Sequence, residues 1–509
     1  MTDRYKTALK ASRKHLWHTD VLNVFAEHLQ TTTRNIYQFL ENQGIDHLVI
    51  GSGKQDYYHR DDVCVPFRTH PLFSYVCPMP GPYHLIHFSL PYTSPHLMYY
   101  APDDFWHLTP KPQGHPLWEM FQGYICTDIT SRFSQLEKQA SIETSTSKVA
   151  SKKRLVFLGP ETDVPDHYEH NPEDVENYFS WLRSQKSTYE ITCLMRATQS
   201  ALYGHEALQR AFLQETSLSH RTPTERDLYY LYQIESQSIA SEFAYPPIIA
   251  IDEHCATLHY DHYSHDPSHM ATHKGVNLLV DAGSTCFGYS SDISRTTLKP
   301  YASSLQTISG KYIAKNAHNT FAEMLTQLKT LQHEIIQLIK PDLPFSHLHE
   351  YSLKGVYRIL KDAELIKTPH SLSEADTITC ARTFYPHGIG HMLGLQVHDV
   401  YAEDPYQDTK PASTSSIDPS KTSEQTVKKL RPKLRPYSVF TIEPGIYFIE
   451  SLIDKLKTTH KHIALNDALI TEMTPLGGMR VEDNIFINKD KAVNLTTLAQ
   501  NKPKKLSQP

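Results

Sequence analysis

The 509-residue sequence predicts an α+β protein of two domains, an N-terminal α/β domain over residues 1–183 and a larger domain over 184–495. Three observations predict this. A chain of this length exceeds what one ordinary hydrophobic core holds. The first 180 residues or so interleave short strand-like runs with helical stretches. From about residue 184 helix starts become legible, and from about 275 strands and helices follow in separate blocks.

In the first part HLVIGSG, HLIHFSL, HLMYYAP and KRLVFLG read as strands. The polar segment QASIETSTSKVASKK (139–153) reads as an exposed loop. Ser187 and Glu190 then form an S-x-x-E capping box, after which Ile191, Leu194, Met195 and Thr198 recur at helical spacing. A second helix start reads at Thr222-Pro223-Thr224-Glu225, with Thr222 as N-cap and Pro223 in the first helical position. VNLLVDAGS and YSSDISRTT read as strands, 305–365 as helix, and VFTIEPGIYF and GGMRVEDNIFIN as strands again. Before these two strands, and after the histidine-rich PHGIGHMLGLQVHDV, lies DTKPASTSSIDPSKTSEQTVKKLRPKLRP (408–436), whose composition supports no core and reads as a long exposed loop. Residues 496–509 read as a polar tail.

Composition excludes several functions. With 50 Lys and Arg against 56 Asp and Glu the formal charge is −6, which argues against a nucleic-acid footprint. No run approaches the roughly 20 apolar residues of a membrane helix. The N-terminal MTDRYKTALKASRKHLWHTD has no apolar signal core. The seven cysteines are scattered and form no C-x-x-C pair, so neither a zinc knuckle nor a disulfide framework is expected. Cytoplasmic placement follows as the expectation.

The chemistry concentrates at PHGIGHMLGLQVHDV, which sets His387, His391 and His398 among three glycines. Histidine is the commonest metal ligand, and glycine lets a backbone approach something closely. Four acids answer the histidines. Asp281 ends an apolar strand, and Asp292 lies in a second strand across a hairpin, where two side chains can face each other about 5 Å apart. Glu443 alternates away from Phe440 and Ile442, and Pro444-Gly445 breaks the ladder beyond it. Glu482 shares a face with Arg480. Any one of these acids alone reads as a solvated residue on a half-exposed strand. Together they cannot converge uncompensated, because two carboxylates about 4 Å apart repel by about 4 kcal/mol at an effective dielectric near 20. Two Asp, two Glu and one His make an oxygen-dominated site for two divalent ions.

VDAGSTCFGYSSDISRT, PHGIGHMLGLQVHDV, TIEPGIYF and GGMRVEDN stand in the order and spacing of the pita-bread dinuclear metallopeptidases. The chain resembles the bacterial prolidase (Xaa-Pro dipeptidase) branch, a likeness extending to IIAIDEHCATLHY, LRSQKSTYEITCLMRAT, HRDDVCVPFRTHPLF and YYAPDDFWHLTPKP. The resemblance implies a pita-bread (creatinase/aminopeptidase-like) catalytic domain and a homodimer acting on Xaa-Pro dipeptides. Its metal ligands fall on Asp281, Asp292, His391, Glu443 and Glu482, holding two ions, with manganese expected and cobalt, iron or zinc possible. Glu443 would shuttle the proton to the proline nitrogen. His387 and His398 would hold substrate and stabilise the oxyanion, His259 would face substrate, and Arg480 would orient the acids.

Trp106 would reach toward the partner's pocket, against the alternative of a core tryptophan. The family's arginine for the dipeptide carboxylate falls, without gaps, on Lys429. Arg431 lies two residues later and is the preferred reading, since lysine lacks the bidentate fork. The alternatives are an Xaa-Pro aminopeptidase acting on longer peptides, a phosphotriester side activity, or a catalytically silent binding protein on the same fold. Beyond His259, the histidines up to His273 read as surface residues, and Cys255 and Cys286 lack any thiol-activating pattern.

Overall fold

The computed structural model describes all residues except 1–3, 13–17, 91–93, 140–152, 215–222, 238–242, 264–274, 369–370, 403–432 and 501–509. Most of the expected 139–153 and 408–436 loops, and the end of the tail, therefore lie outside the described residues, as do Lys429 and Arg431. By compactness the chain divides into two units. The first holds residues 1–193, 286–289 and 400–408, and the second 194–285, 290–399 and 409–509.

In the first unit the four apolar runs become strands, as expected: β1 (His47–Gly51), β2 (Leu85–Ser89), β3 (His96–Tyr100) and, after β4 (Gln122–Cys126), β5 (Leu155–Leu158). With β6 (Glu169–His170) they form one sheet in the order β4-β3-β2-β1-β5-β6. β1 pairs parallel with β5 and antiparallel with β2. Every residue of β1, β2 and β5 is buried, which is why these runs are mostly apolar and do not alternate with exposed polar residues. Helix α1 (Thr19–Gln43) buries Val21, Phe25, Leu29, Ile36 and Leu40 along one face. It ends at Gly44, whose φ of 61° is the left-handed conformation glycine adopts without strain.

Helix α2 (Thr188–Gln214) starts at the anticipated box. The Ser187 amide donates to Glu190 Oε2 at 2.8 Å, and the Glu190 amide donates to Ser187 Oγ at 3.2 Å. The next start differs from expectation. Helix α3 (Glu225–Ser236) is capped by Thr224, not Thr222, and Pro223 precedes the cap. Asp227 decides this: it closes a reciprocal box with Thr224, satisfying two amide donors that a start at Pro223 would leave without that partner.

In the second unit β7 (Ile248–Ile251), β8 (Asn277–Asp281) and β9 (Ser294–Leu298) form an antiparallel sheet in the order β9-β8-β7. Helices α4 (Lys315–Leu338), α5 (Phe345–Asp362) and α6 (Glu374–Phe384) follow, so helix occupies only part of the expected 305–365 block. The two late runs are each interrupted, giving β10 (Val439–Ile442), β11 (Gly445–Tyr447), β12 (Gly478–Arg480) and β13 (Asp483–Asn488). The apolar faces of α4, α5 and α6 share one core with Phe440, Ile442, Ile446, Met479 and Ile485. All seven cysteines are free. No described helix is long and apolar enough to cross a membrane.

The first unit carries a titratable core. His47 Nδ1 lies 3.1 Å from His87 Nε2 across the sheet, and His84 Nδ1 accepts the Tyr100 amide at 3.0 Å. Burial pushes His47 down to about 4 and His84 and His87 down to about 3. The unfolded chain protonates these groups near pH 6.5, whereas the folded unit resists until about 3–4. Below pH 6.5 the unfolded state therefore binds more protons, and stability falls with acid by about 1.4 kcal/mol per pH unit for each. Hydrogen exchange of peptides covering β1 and β2 is expected to show progressively easier opening from pH 6.5 to 4, after correction for intrinsic exchange. An opening free energy constant over that range contradicts the assignment.

Candidate metal centre

The acids converge because three backbone ladders end at one place. Ser294 is the register partner of Asp281 at the end of the β8–β9 pair. Its carbonyl accepts the Glu482 amide at 3.1 Å, and its hydroxyl donates to Glu482 Oε2 at 2.7 Å. Glu443 and Glu482 occupy a matching pair of gaps. β10 pairs with β13 through Ile442 and Asp483, and β11 pairs with β12 through Gly445 and Arg480. Continuing either register sets Glu443 opposite Glu482 and Pro444 opposite Val481. Proline has no N–H to continue the ladder, and Gln332 of α4 fills part of the gap by donating to the Ile442 carbonyl at 2.9 Å.

His391 arrives on a segment that runs beside β10. Its amide donates to Thr441 Oγ1 at 3.1 Å and its carbonyl accepts the Thr441 amide at 2.9 Å, while the Glu443 amide donates to Ile389 O at 2.8 Å. The approach is so close that a Cβ on Gly390 would stand 2.0 Å from the Thr441 carbonyl oxygen. His391 Nδ1 lies 3.0 Å from the Met392 carbonyl. A carbonyl only accepts, so Nδ1 carries the proton in that bond and leaves the Nε2 lone pair free to ligate. Nε2 lies 3.2 Å from Asp292 Oδ2 and 3.9 Å from Glu443 Oε1. Ligand atoms of Asp292, His391 and Glu482 all lie within 4.8 Å of one another.

Asp292 is not in a strand, contrary to expectation. It lies in the extended residues 291–293 before β9, diagonal to Asp281 and not opposite it. The hairpin is pinched before that point: a Cβ on Gly283 would meet the Ser291 carbonyl oxygen at 1.9 Å. Asp292 is fixed instead by its amide bond to Asn484 Oδ1 at 3.3 Å.

Only one buried cation faces these acids among the described residues. Arg480 donates to Asp281 Oδ2 at 2.5 Å, to Tyr447 Oη at 2.7 Å and to Ser294 Oγ at 2.9 Å. Burial pushes Asp281 up, but Arg480 and the Tyr245 hydroxyl outweigh it and hold the carboxyl below its ordinary range. Asp292 is driven well above that range by burial and by the charge of Asp281. Glu443 is raised by burial and by Glu482, and Glu482 by burial and by both aspartates. The Tyr245 hydroxyl contacts Oδ1 of both aspartates. It has one proton to donate, so the second contact needs a proton on a carboxyl, and Asp292 is the one whose surroundings favour it. Glu482 Oε1 is buried with no hydrogen-bond partner. An acid cluster that retains protons and an orphaned oxygen is what a divalent cation would replace and satisfy. The residues fit such an ion.

His387 sits at the edge of this cluster, its Nδ1 2.8 Å from the Gly388 carbonyl and 3.6 Å from Glu443 Oε2. Burial and the Arg480 charge push it down to about 3, so the ring is neutral. With its proton on Nδ1, Nε2 accepts from the Tyr447 hydroxyl at 2.8 Å. Asp281, Arg480, Tyr447 and His387 thus form a directional chain of bonds. The His398 ring packs against His391 at 4.3 Å. His259 is exposed and makes no hydrogen bond, ion pair or ring contact among the described residues. Trp106 is 78% exposed, which rules out the core reading.

Residues 180–489 match the family model of metallopeptidase family M24. The chain belongs to that family. As an M24 metallopeptidase it binds divalent metal. Residues 23–181 match the model of the Xaa-Pro dipeptidase N-terminal domain. An Xaa-Pro dipeptidase of Pseudoalteromonas haloplanktis is 30% identical over 477 residues, 93% of this chain and 97% of that one. Xaa-Pro dipeptidase 1 of Idiomarina loihiensis is 31% identical over 481 residues, 94% and 95% of the two chains. Among solved structures, aminopeptidase P from E. coli has a TM-score of 0.64 at 17% identity, covering 94% of this chain and 96% of that one. Aminopeptidase PepP of Pseudomonas aeruginosa has 0.63 at 17%, covering 93% and 96%. These structural likenesses establish the shared α+β pita-bread fold.

Sequence reading missed Tyr245 and Ser294 as partners of the acids, Tyr447 as the partner of Arg480 and His387, and Thr441 and Gln332 as supports of the backbone around His391 and Glu443. Tyr447 could have been found by alternation, since it stands two residues beyond Gly445, the partner of Arg480. Nothing local marks Tyr245 or Gln332.

The Gly390 contact is testable. Gly390→Ala would force apart His391 and β10, and overpacking of this kind costs roughly 1–3 kcal/mol or more. The variant of this M24 chain is expected to unfold several degrees lower and to lose most of its bound metal when dialysed beside the wild type. Wild-type metal content and melting temperature would show that the two segments are not held this closely.

Proposed function

We propose that this chain hydrolyses the bond before proline in Xaa-Pro dipeptides, using two divalent ions held by Asp281, Asp292, His391, Glu443 and Glu482. The observation that carries the dipeptide reading is the match of residues 23–181 to an Xaa-Pro dipeptidase N-terminal domain, in a chain that aligns with Xaa-Pro dipeptidases over 93 and 94% of its length. Manganese is the expected metal, because the set has four carboxylates to one imidazole. Cobalt, iron or zinc could substitute in vitro.

The metal supplies an activated water and polarises the scissile carbonyl. The protein does the rest. Glu443, whose surroundings raise its proton affinity, takes a proton from the nucleophile and returns it to the proline nitrogen, a poor leaving group until protonated. His387 is held neutral by burial and oriented by Tyr447, and its single Nδ1 proton, bonded to the Gly388 carbonyl, would turn from that carbonyl to developing oxyanion charge without adding a fixed cation. His398 and His259 would hold substrate. Arg480 keeps Asp281 ionised and in place. Arg431, or Lys429 in its stead, would pair the dipeptide carboxylate and so reject longer peptides, whose extension leaves a buried charge unpaired.

The active form would be a cytoplasmic homodimer in which Trp106 reaches the partner's pocket. Support for this comes from Phe105, Trp106 and Leu108, which stand 86, 78 and 95% exposed on one short stretch.

Glu482→Gln is the sharpest test of the metal ligands, because it leaves the Arg480–Asp281 pair intact and keeps an acceptor for Ser294. It is expected to abolish Ala-Pro hydrolysis with manganese while the fold, followed by circular dichroism, is retained. Full activity in that variant, or in a thoroughly chelated wild type, excludes the assignment. Substrate length provides a separate measurement. Ala-Pro should be cleaved at least about a hundredfold faster, as kcat/KM, than Ala-Pro-Ala. Arg431→Ala should raise KM for Ala-Pro about tenfold, roughly 1.4 kcal/mol, with little effect on the tripeptide. If Lys429→Ala does this and Arg431→Ala does not, the ungapped assignment is correct.

A further inference from the structure

Within the second unit, α5 and α6 enclose a cavity of about 300 Å³ apart from the acid cluster. That is the lower end of the volumes that take small organic ligands, about 300–1,000 Å³. His349, Glu350 and Leu353 line it from α5, and Glu374, Ile378 and Arg382 from α6. Its charges have both signs. Lys354 and Glu374 pair across the rim at 2.9 Å and answer each other. Glu350 and Arg382 stand exposed at the rim and join no ion pair among the described residues, Glu350 lying one turn before Lys354 and feeling its charge. Leu353, which is buried, and Ile378 provide apolar wall between them. His349 is also buried, and its Nδ1 has no hydrogen-bond partner, a situation that costs free energy unless something satisfies it.

The cavity thus presents a cation and an anion outside any ion pair at its rim, a short apolar wall and a buried imidazole nitrogen with unused bonding capacity. We propose that it binds a free α-amino acid as the zwitterion. The carboxylate would sit on Arg382 within reach of His349, the ammonium on Glu350, and the side chain against Leu353 and Ile378. A simple anion would be repelled by Glu350, and a simple cation by Arg382.

The position of the cavity gives binding a consequence. α6 runs directly into the segment that carries His387, with Arg382 in its last turn, three residues before Tyr385 and five before His387. The rings continue the connection: His349 packs against Tyr385 at 6.0 Å, and Tyr385 packs edge-on against His387 at 4.8 Å. A ligand that draws Arg382 toward α5 therefore acts on the placement of His387, and occupancy and turnover are coupled. Hydrolysis of an Xaa-Pro dipeptide releases two free amino acids, so, resting on the function proposed above, the site senses product.

L-Proline titrated calorimetrically into the full chain loaded with manganese tests this, with acetate and prolinamide as the separated charges. Saturable binding of proline is expected, at least tenfold tighter than either probe, and at least tenfold weakened in both R382Q and E350Q. In turnover, part of the inhibition by proline should persist at saturating dipeptide and disappear in R382Q. Absence of proline binding, binding indifferent to both variants, or acetate binding as tight as proline overturns the site. Wholly competitive inhibition overturns its coupling to His387. Arg382-dependent binding in a chain that fails to cleave dipeptides would leave the site standing and remove only the peptidase reading.

Discussion

Carboxylates brought together away from water repel one another, and each is costly to keep ionised there. That constraint organises the catalytic unit. Asp281, Asp292, Glu443 and Glu482 share a pocket in which Arg480 alone among the described residues offers a buried permanent positive charge. One cation settles one acid: Asp281 stays below the ordinary carboxylate range and the other three rise above it. The imbalance is the physical signature of a centre built for divalent ions, and membership of metallopeptidase family M24 agrees with it.

The backbone shows what it takes to impose such proximity. Two hairpins and one irregular segment end at the same point, each through a local departure from regular structure. Gly283 and Gly390 permit approaches to carbonyl oxygens that a Cβ would forbid. Pro444 opens a gap in an otherwise continuous register, and the gap is where Glu443 and Glu482 face each other. The side chains around the acids are fixed in turn. Ser294 joins Asp281, Glu482 and Arg480 through its backbone register and its hydroxyl. Tyr447 transmits the Arg480 charge to the orientation of His387. These contacts are what hold a reactive geometry to tolerances of a few tenths of an ångström.

The structure's departures from sequence expectation share a cause. Asp292 was expected in a strand facing Asp281, but the strand begins at Ser294, which takes the place opposite Asp281 and leaves Asp292 two residues before it. Thr222 was expected to cap a helix, but Asp227 closes a box with Thr224, two residues further on. Tyr245 as a partner of the aspartates, and Gln332 as a partner of the Ile442 carbonyl, were invisible because their contacts cross 36, 47 and 110 positions of sequence. In each case a local pattern was read correctly for its type, and a contact outside the window determined its extent or role.

The sequence by itself determined the identity of the ligand-type residues, the strand that carries Asp281 and the one that ends just before Glu443, the buried strands of the first unit and the prolidase resemblance. These depend on side-chain chemistry and on periods of two and 3.6, which are local properties. Only the tertiary structure decided which oxygen of each acid faces inward, that Ser294 and not Asp292 stands opposite Asp281, that Arg480 pairs with Asp281, that His387 is held neutral, and that Trp106 is exposed. These depend on desolvation and on distances between segments remote in sequence, and folding alone sets them.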